Sequence, residues 1–127
     1  MKRYSEVQCR FYRSRESTSI HSYVYTWHKW PGRDCDLYPI DPRIELLRMR
    51  RIAFLVRGKS CRDAIDILME QDAKSGGPIK EITTVYGNKG STPKYTAIYG
   101  YNGTCIVFYY NKYTHHIKSF QGMKGVT

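Results

Sequence analysis

Glu81, four histidines and a scatter of lysines are the residues of this 127-residue chain best suited to chemistry. Such groups can cleave RNA without a metal. A carboxylate or imidazole base takes the 2′-OH proton, an imidazole acid protonates the leaving oxygen, and a cation holds the pentavalent phosphate. Glu81 is the sole acidic residue after Asp72 and sits between the apolar Ile79 and Ile82, in a segment that reads as a strand. There it could act as the base, or merely as a strand charge that blocks sheet-to-sheet association. His28 lies between Trp27 and Trp30 and could touch a base or pack in an apolar corner. His21 has the opposite parity on the same strand. His115 and His116 are adjacent, so on an extended strand at most one of them can serve a given site. The cation is the weak member. The last Arg is Arg62, which leaves Lys94, Lys112 and Lys118 as point charges without a bidentate fork. If the chain is catalytic, Glu81, His28 and Lys94 are the expected set.

Positioning these groups requires a sheet, and the pattern supplies one. Strand character runs over Glu6–Tyr12, a polar turn over Arg13–Thr18, and a strand over Ser19–Trp30, with Tyr23, Tyr25 and Trp27 on one face and Val24, Thr26 and His28 on the other. Asp41-Pro42 starts a helix that ends between Arg50 and Arg57. Ser60 and Asp63 form a capping box for a second helix, whose stripe is Cys61, Ala64, Ile65 and Leu68. Gly76-Gly77-Pro78 stops it. Strands follow over Ile79–Tyr86, on either side of Asn102-Gly103, and over Tyr113–Phe120. A two-residue type I′ turn at Asn102-Gly103 sets Tyr101 opposite Thr104, Tyr99 opposite Ile106, Ala97 opposite Phe108 and Tyr95 opposite Tyr110. Both faces of that hairpin then read as covered. The fold class is α+β, a helix layer packed on a twisted antiparallel sheet, in one domain over residues 1–127.

The net charge is +10, and residues 1–62 carry 14 basic and 6 acidic side chains, or +8 of it. Such a surface attracts polyanions or simply keeps the chain soluble. Twelve Tyr can stack on bases or fill interfaces and core. Tyr23, Tyr25, Trp27, Arg48, Arg51, Tyr95 and Tyr110 are the candidate contacts to nucleic acid or to a partner protein. Neither a membrane span nor an apolar signal segment is expected, which fits an intracellular protein or a mature secreted one. No P-loop, dinucleotide fingerprint or nucleophile elbow is present, and the cysteine spacing is wrong for zinc, so neither metal nor cofactor is expected. Cys9, Cys35, Cys61 and Cys105 are compatible with four buried thiols or with two disulfides. Loop and helix placement makes Cys35–Cys61 with Cys9–Cys105 one plausible connectivity of three. Asn102-Gly103-Thr104 is a glycosylation sequon, usable only in a secretory pathway.

The block IKEITTVYGN followed by KYTAIYGYNGTCIVFYYN resembles the small fungal guanyl-specific ribonucleases and ribotoxins, and still more the RNase-like secreted effectors of powdery mildews. The likeness covers Ile79 to Asn111. It implies a ribonuclease-like fold that usually lacks the catalytic residues, and a monomer secreted into the host cytoplasm or nucleus. It also implies binding to a host plant immune receptor (an NLR), another host protein or RNA. Carried across, Glu81 takes the place of the base, Lys94 or Tyr95 that of the arginine, and Tyr110 or Asn111 that of the acid. Two of three positions thus differ in type, which implies an inactive scaffold. The chain departs from the effector pattern in spacing Tyr4 and Cys9 five apart, in lacking a C-terminal cysteine and in having two helices. An active endoribonuclease and an intracellular or viral nucleic-acid-binding protein are the alternatives.

Overall fold

A computed structural model describes residues 11–19, 22–29, 41–87 and 92–124. Its elements run β1 (Phe11–Ser19), β2 (Ser22–Lys29), α1 (Pro42–Leu55), α2 (Cys61–Lys74), β3 (Ile79–Gly87), β4 (Thr92–Gly100), β5 (Thr104–Tyr110) and β6 (Ile117–Lys124). The strands form one antiparallel sheet in simple sequence order, and both helices are inserted between β2 and β3. The architecture is α+β, with the helices on one face of the sheet.

Each helix begins where its side chains satisfy the free backbone donors of the first turn. The Asp41 carboxylate accepts from the Arg43 N–H at 2.8 Å, and Pro42 opens the helix. The Ser60 hydroxyl accepts from the Asp63 N–H at 3.3 Å. Met49, Ile52 and Ala53 of α1, its C-cap Val56, and Cys61, Ala64 and Leu68 of α2 pack onto Ile82, Ile98, Ile106 and Phe108 of the sheet. Each fully buried Ile, Leu or Phe contributes about 1.5–3 kcal/mol.

Three expectations are corrected. Arg13–Thr18 is strand, part of β1, because its backbone pairs with β2 from Phe11↔Lys29 to Ser17↔Tyr23. Only the first part of the expected turn-flanking strand, residues 6–10, lies outside the described residues. The central hairpin closes through three residues, Tyr101 to Gly103, and not two. Gly103 has φ +78°, whereas Asn102 does not adopt the positive φ that a type I′ turn demands at both centres. The pairing therefore slips by one: Tyr99↔Cys105, Ile98↔Ile106, Ala97↔Val107, Thr96↔Phe108 and Tyr95↔Tyr109. One face of this hairpin is under the helices and the other is open. His115 and His116 precede β6 and do not belong to it. Asn111 Oδ1 accepts from the Tyr113 and Thr114 N–H groups at 2.8 and 3.1 Å, folding a local turn in which His115 has φ +60°. Both histidines are exposed there.

Candidate functional site

Alternation along the strands sorts the sheet into two surfaces. The open surface has three cross-strand rows, set by the observed register. The first is His28, Glu81, Tyr99, Cys105 and Met123. The second is Thr26, Thr83, Ala97, Val107 and Gln121. The third is Val24, Val85, Tyr95, Tyr109 and Ser119. His28 and Glu81 are direct partners on β2 and β3. His28 Nδ1 lies 3.0 Å from Glu81 Oε1, both side chains are about one-third exposed (34% and 32%), and the Thr83 hydroxyl donates to Glu81 Oε2 at 3.2 Å. An imidazole and a carboxylate in this contact can pass a proton between them.

Phosphate-holding groups are a different matter. No Lys or Arg occupies a position in the three rows. Beyond Glu81 the row continues with Tyr99, whose hydroxyl is pushed up by burial and, to a lesser degree, by Cys105, Tyr95 and Glu81. Burial likewise pushes the Cys105 thiol up. Lys94 runs along Gly87 at the far end of β4. At about 3.3 Å per residue it is roughly 16 Å from the Tyr99 position, so the expected set of Glu81, His28 and Lys94 does not assemble. The strand registers also place other residues at the carried-over positions. Tyr99, not Lys94 or Tyr95, stands beside Glu81, and Cys105, not Tyr110 or Asn111, follows it.

The candidate binding residues fall into four places. Tyr95 is on the open surface and 40% exposed. Tyr110 is core, its hydroxyl 2.6 Å from that of Thr96, so it is unsuited to touch a ligand. It ends a buried polar chain through Thr96, Thr84, Cys61 and Tyr86. Thr84 and Thr96 are 2.9 Å apart, and Cys61 Sγ is 3.0 Å from the Tyr86 hydroxyl. Burial, helped by Cys61, pushes the hydroxyls of Tyr86 and Tyr110 up. Tyr23, Tyr25 and Trp27 lie on the helix side of the sheet, opposite His28. Tyr25 meets Tyr86 edge-on at 5.6 Å and carries the Arg13 guanidinium over its ring at 5.5 Å. With Trp27, Arg62 and Asp66 these residues line a cleft of about 530 Å³. Arg48 and Arg51 border a hollow of about 420 Å³ with Lys74.

Two buried acids escaped the sequence reading. Glu45 of α1 is wholly buried and accepts from the backbone N–H groups of Tyr101 and Asn102 (3.1 Å each), from Asn102 Nδ2 (2.7 Å) and from the Thr104 hydroxyl. The sequon asparagine is thus engaged in holding the turn. Asp72 pairs with Lys29 at 2.7 Å, both almost fully buried, and accepts from the Ile79 N–H at 2.7 Å. Lys29 also donates to the Gly77 carbonyl at 3.0 Å. The parity that placed Trp27 on the helix side places Lys29 there too, and that signal was available.

Cys61 and Cys105 are free thiols on opposite sides of the sheet. Their expected partners, Cys35 and Cys9, lie outside the described residues, as do Trp30 and His21. Among the described residues no group of His, Cys, Asp and Glu could hold a metal ion, and no helix is long and apolar enough to cross a membrane. No protein-family model, no curated protein and no solved structure matches the chain.

Proposed function

We propose that the chain is a non-catalytic, ribonuclease-like binding protein of the kind that plant-infecting fungi secrete as effectors. It acts inside plant cells on a host protein or RNA and is open to recognition by an immune receptor. The observation that carries this reading is the row His28–Glu81–Tyr99–Cys105. A base and a histidine are together on the open sheet surface, but the adjoining strand positions hold a phenol and a thiol where phosphoryl transfer needs a cation. The helix-on-sheet layering and the Ile79–Asn111 pattern support the scaffold. Exposed tyrosines on the open surface, Tyr95, Tyr99 and Tyr109, suit contact better than turnover.

The 3.0 Å contact between His28 and Glu81 favours a second reading, an active metal-free endoribonuclease with Glu81 as base. Incubating the purified chain with an end-labelled single-stranded RNA separates the two. The proposal expects intact RNA over hours. Products ending in 2′,3′-cyclic phosphate that disappear in the Glu81→Ala variant would overturn it.

A further inference from the structure

Four large apolar side chains of α1 face solvent: Ile44 (47% exposed), Leu47 (51%), Phe54 (60%) and Leu55 (51%). Leu46, Met49, Ile52 and Ala53 already fill the core side, and Phe54, though exposed, rests edge-on against Phe120 at 5.0 Å. Helical spacing puts Ile44, Leu47, Arg51 and Leu55 on one stripe and Arg50 and Phe54 on the next, and Arg57, just past the helix end, borders the same hollow as Arg50 and Phe54. Arginines and apolar groups therefore alternate across one continuous exposed face.

Of the nearby acids, Glu45 is buried under the hairpin turn, and Asp41 is taken up by the helix cap and Arg43. Among the described residues, no carboxylate lies within ion-pair distance of Arg50, Arg51 or Arg57. A hollow flanks the helix on each side. One, of about 540 Å³, lies between Arg50, Phe54, Arg57 and the Ser119–Gly122 stretch of β6. The other is the Arg48, Arg51 and Lys74 hollow, where Lys74 is held by Glu70 at 3.0 Å.

We propose that the exposed face of α1 is a docking surface for an acidic protein segment with an apolar centre, such as an amphipathic helix bearing Asp or Glu beside Leu or Phe. The partner's apolar side chains cover Leu47 and Leu55, and its carboxylates enter the two flanking hollows. Charge and shape select this occupant. Nucleic acid would satisfy the guanidiniums but leave Ile44, Leu47 and Leu55 wet, with Phe54 alone able to stack. An anionic bilayer calls for a separated apolar face, whereas here the two kinds of side chain interleave. A second copy of the chain would set arginine against arginine. Arg and aromatic side chains, here Arg50, Arg51 and Phe54, are enriched in protein interfaces.

The inference rests on the binding reading above in naming a partner class, but it fails separately. RNA cleavage would overturn the inactive scaffold without bearing on this face. The test is an NMR titration of the isotope-labelled chain with a synthetic peptide carrying Leu or Phe at i, i+3, i+4 and i+7 and Glu elsewhere. Comparison ligands are a scrambled peptide of equal composition, a short single-stranded RNA, and phosphatidylserine–phosphatidylcholine vesicles. The expected result is shifts confined to α1 and Ser119–Gly122, with the patterned peptide binding about tenfold more tightly than the scrambled one. Leu47→Ser with Leu55→Ser, and separately Arg50→Glu with Arg57→Glu, should each weaken binding about tenfold while leaving the thermal midpoint unchanged. Equal binding of both peptides, shifts elsewhere, no shifts at millimolar peptide, or saturable binding of α1 to RNA or vesicles in place of peptide overturns it.

Discussion

The Glu45 carboxylate of α1 receives the side-chain amide of Asn102 at 2.7 Å, so the first helix and the tip of the central hairpin share one buried acceptor. Removing that acceptor takes a charged partner from the half-buried N–H groups of Tyr101 and Asn102. Each such loss costs about 1–3 kcal/mol. Glu45→Ala should therefore lose about 3 kcal/mol in urea denaturation, and Glu45→Gln less, because its amide oxygen can still accept. Equal losses for the two would show that the cost is packing rather than hydrogen bonding.

Gly100 closes the same arrangement. A Cβ there would land on the Glu45 carboxylate and the Thr104 hydroxyl, both fixed in the interior. Gly100→Ala should cost about 2–3 kcal/mol. Gly122→Ala is the contrast, since its Cβ would meet Arg50 Nε at 3.0 Å, part of a side chain free to move outward. Thermal melts of the two variants should differ clearly, with the second close to wild type.

Lys29 and Asp72 form the buried ion pair. Asp72→Leu leaves the Lys29 charge without its carboxylate and should cost about 3–5 kcal/mol, whereas Lys29→Met with Asp72→Asn, which keeps an acceptor for Ile79, should recover most of that. Burial raises Asp72 above 3.8, although Lys29 opposes the rise, and burial lowers Lys29 below 10.5 against the opposing pull of Asp72. Above pH 3.8 and up to its raised value, the folded chain holds the Asp72 proton that the unfolded chain has lost. Stability from this group is thus fully present below 3.8 and is lost as pH rises through the folded value. For Lys29 the contribution is present above 10.5 and lost as pH falls through its lowered value. Relative to the double variant, the wild type should lose stability as pH falls from 10.5 through the lowered Lys29 range and regain it as pH falls through the raised Asp72 range to 3.8. Urea midpoints at several pH values check the sign.

Cys105 offers a chemical readout of the open surface. With its thiol pushed up by burial from 9.0, it should alkylate with iodoacetamide more slowly at pH 8 than an unstructured cysteine peptide. Its rate should still be climbing past pH 9. A rate plateau below pH 8.5 at Cys105, read by mass mapping, would contradict that environment.

The helices were legible because their signals are local. Asp41-Pro42 and Ser60 through Asp63 name their own starts, and the structure puts α1 and α2 there. β1 was hidden because Arg13 to Thr18 is polar, and an edge strand needs only a partner's backbone and not an apolar side-chain pattern. The register of the central hairpin was misread for one reason. An Asn-Gly pair favours a two-residue turn, but Glu45 supplies acceptors for a longer one, and a long-range contact cannot be seen in a local pattern. One residue of slip then set Tyr99 against Cys105 rather than Ile106, and Tyr95 against Tyr109 rather than Tyr110. That Tyr99 stands beside Glu81 is fixed separately, by the pairing of β3 with β4. The pairing of His28 with Glu81 depended on where β2 and β3 meet, across both helices, and nothing in either segment specifies it.

The strand order has a consequence for synthesis. Because β1 to β6 lie side by side in the order in which they are translated, a chain leaving the ribosome can add each strand to the one just made. One junction breaks that rhythm. β3 cannot join β2 until both helices have emerged, and the Lys29–Asp72 pair ties the end of β2 to α2 across that gap. A pause in translation before α2 is complete would leave the N-terminal hairpin waiting with a buried-type lysine exposed, and resumption would supply its carboxylate.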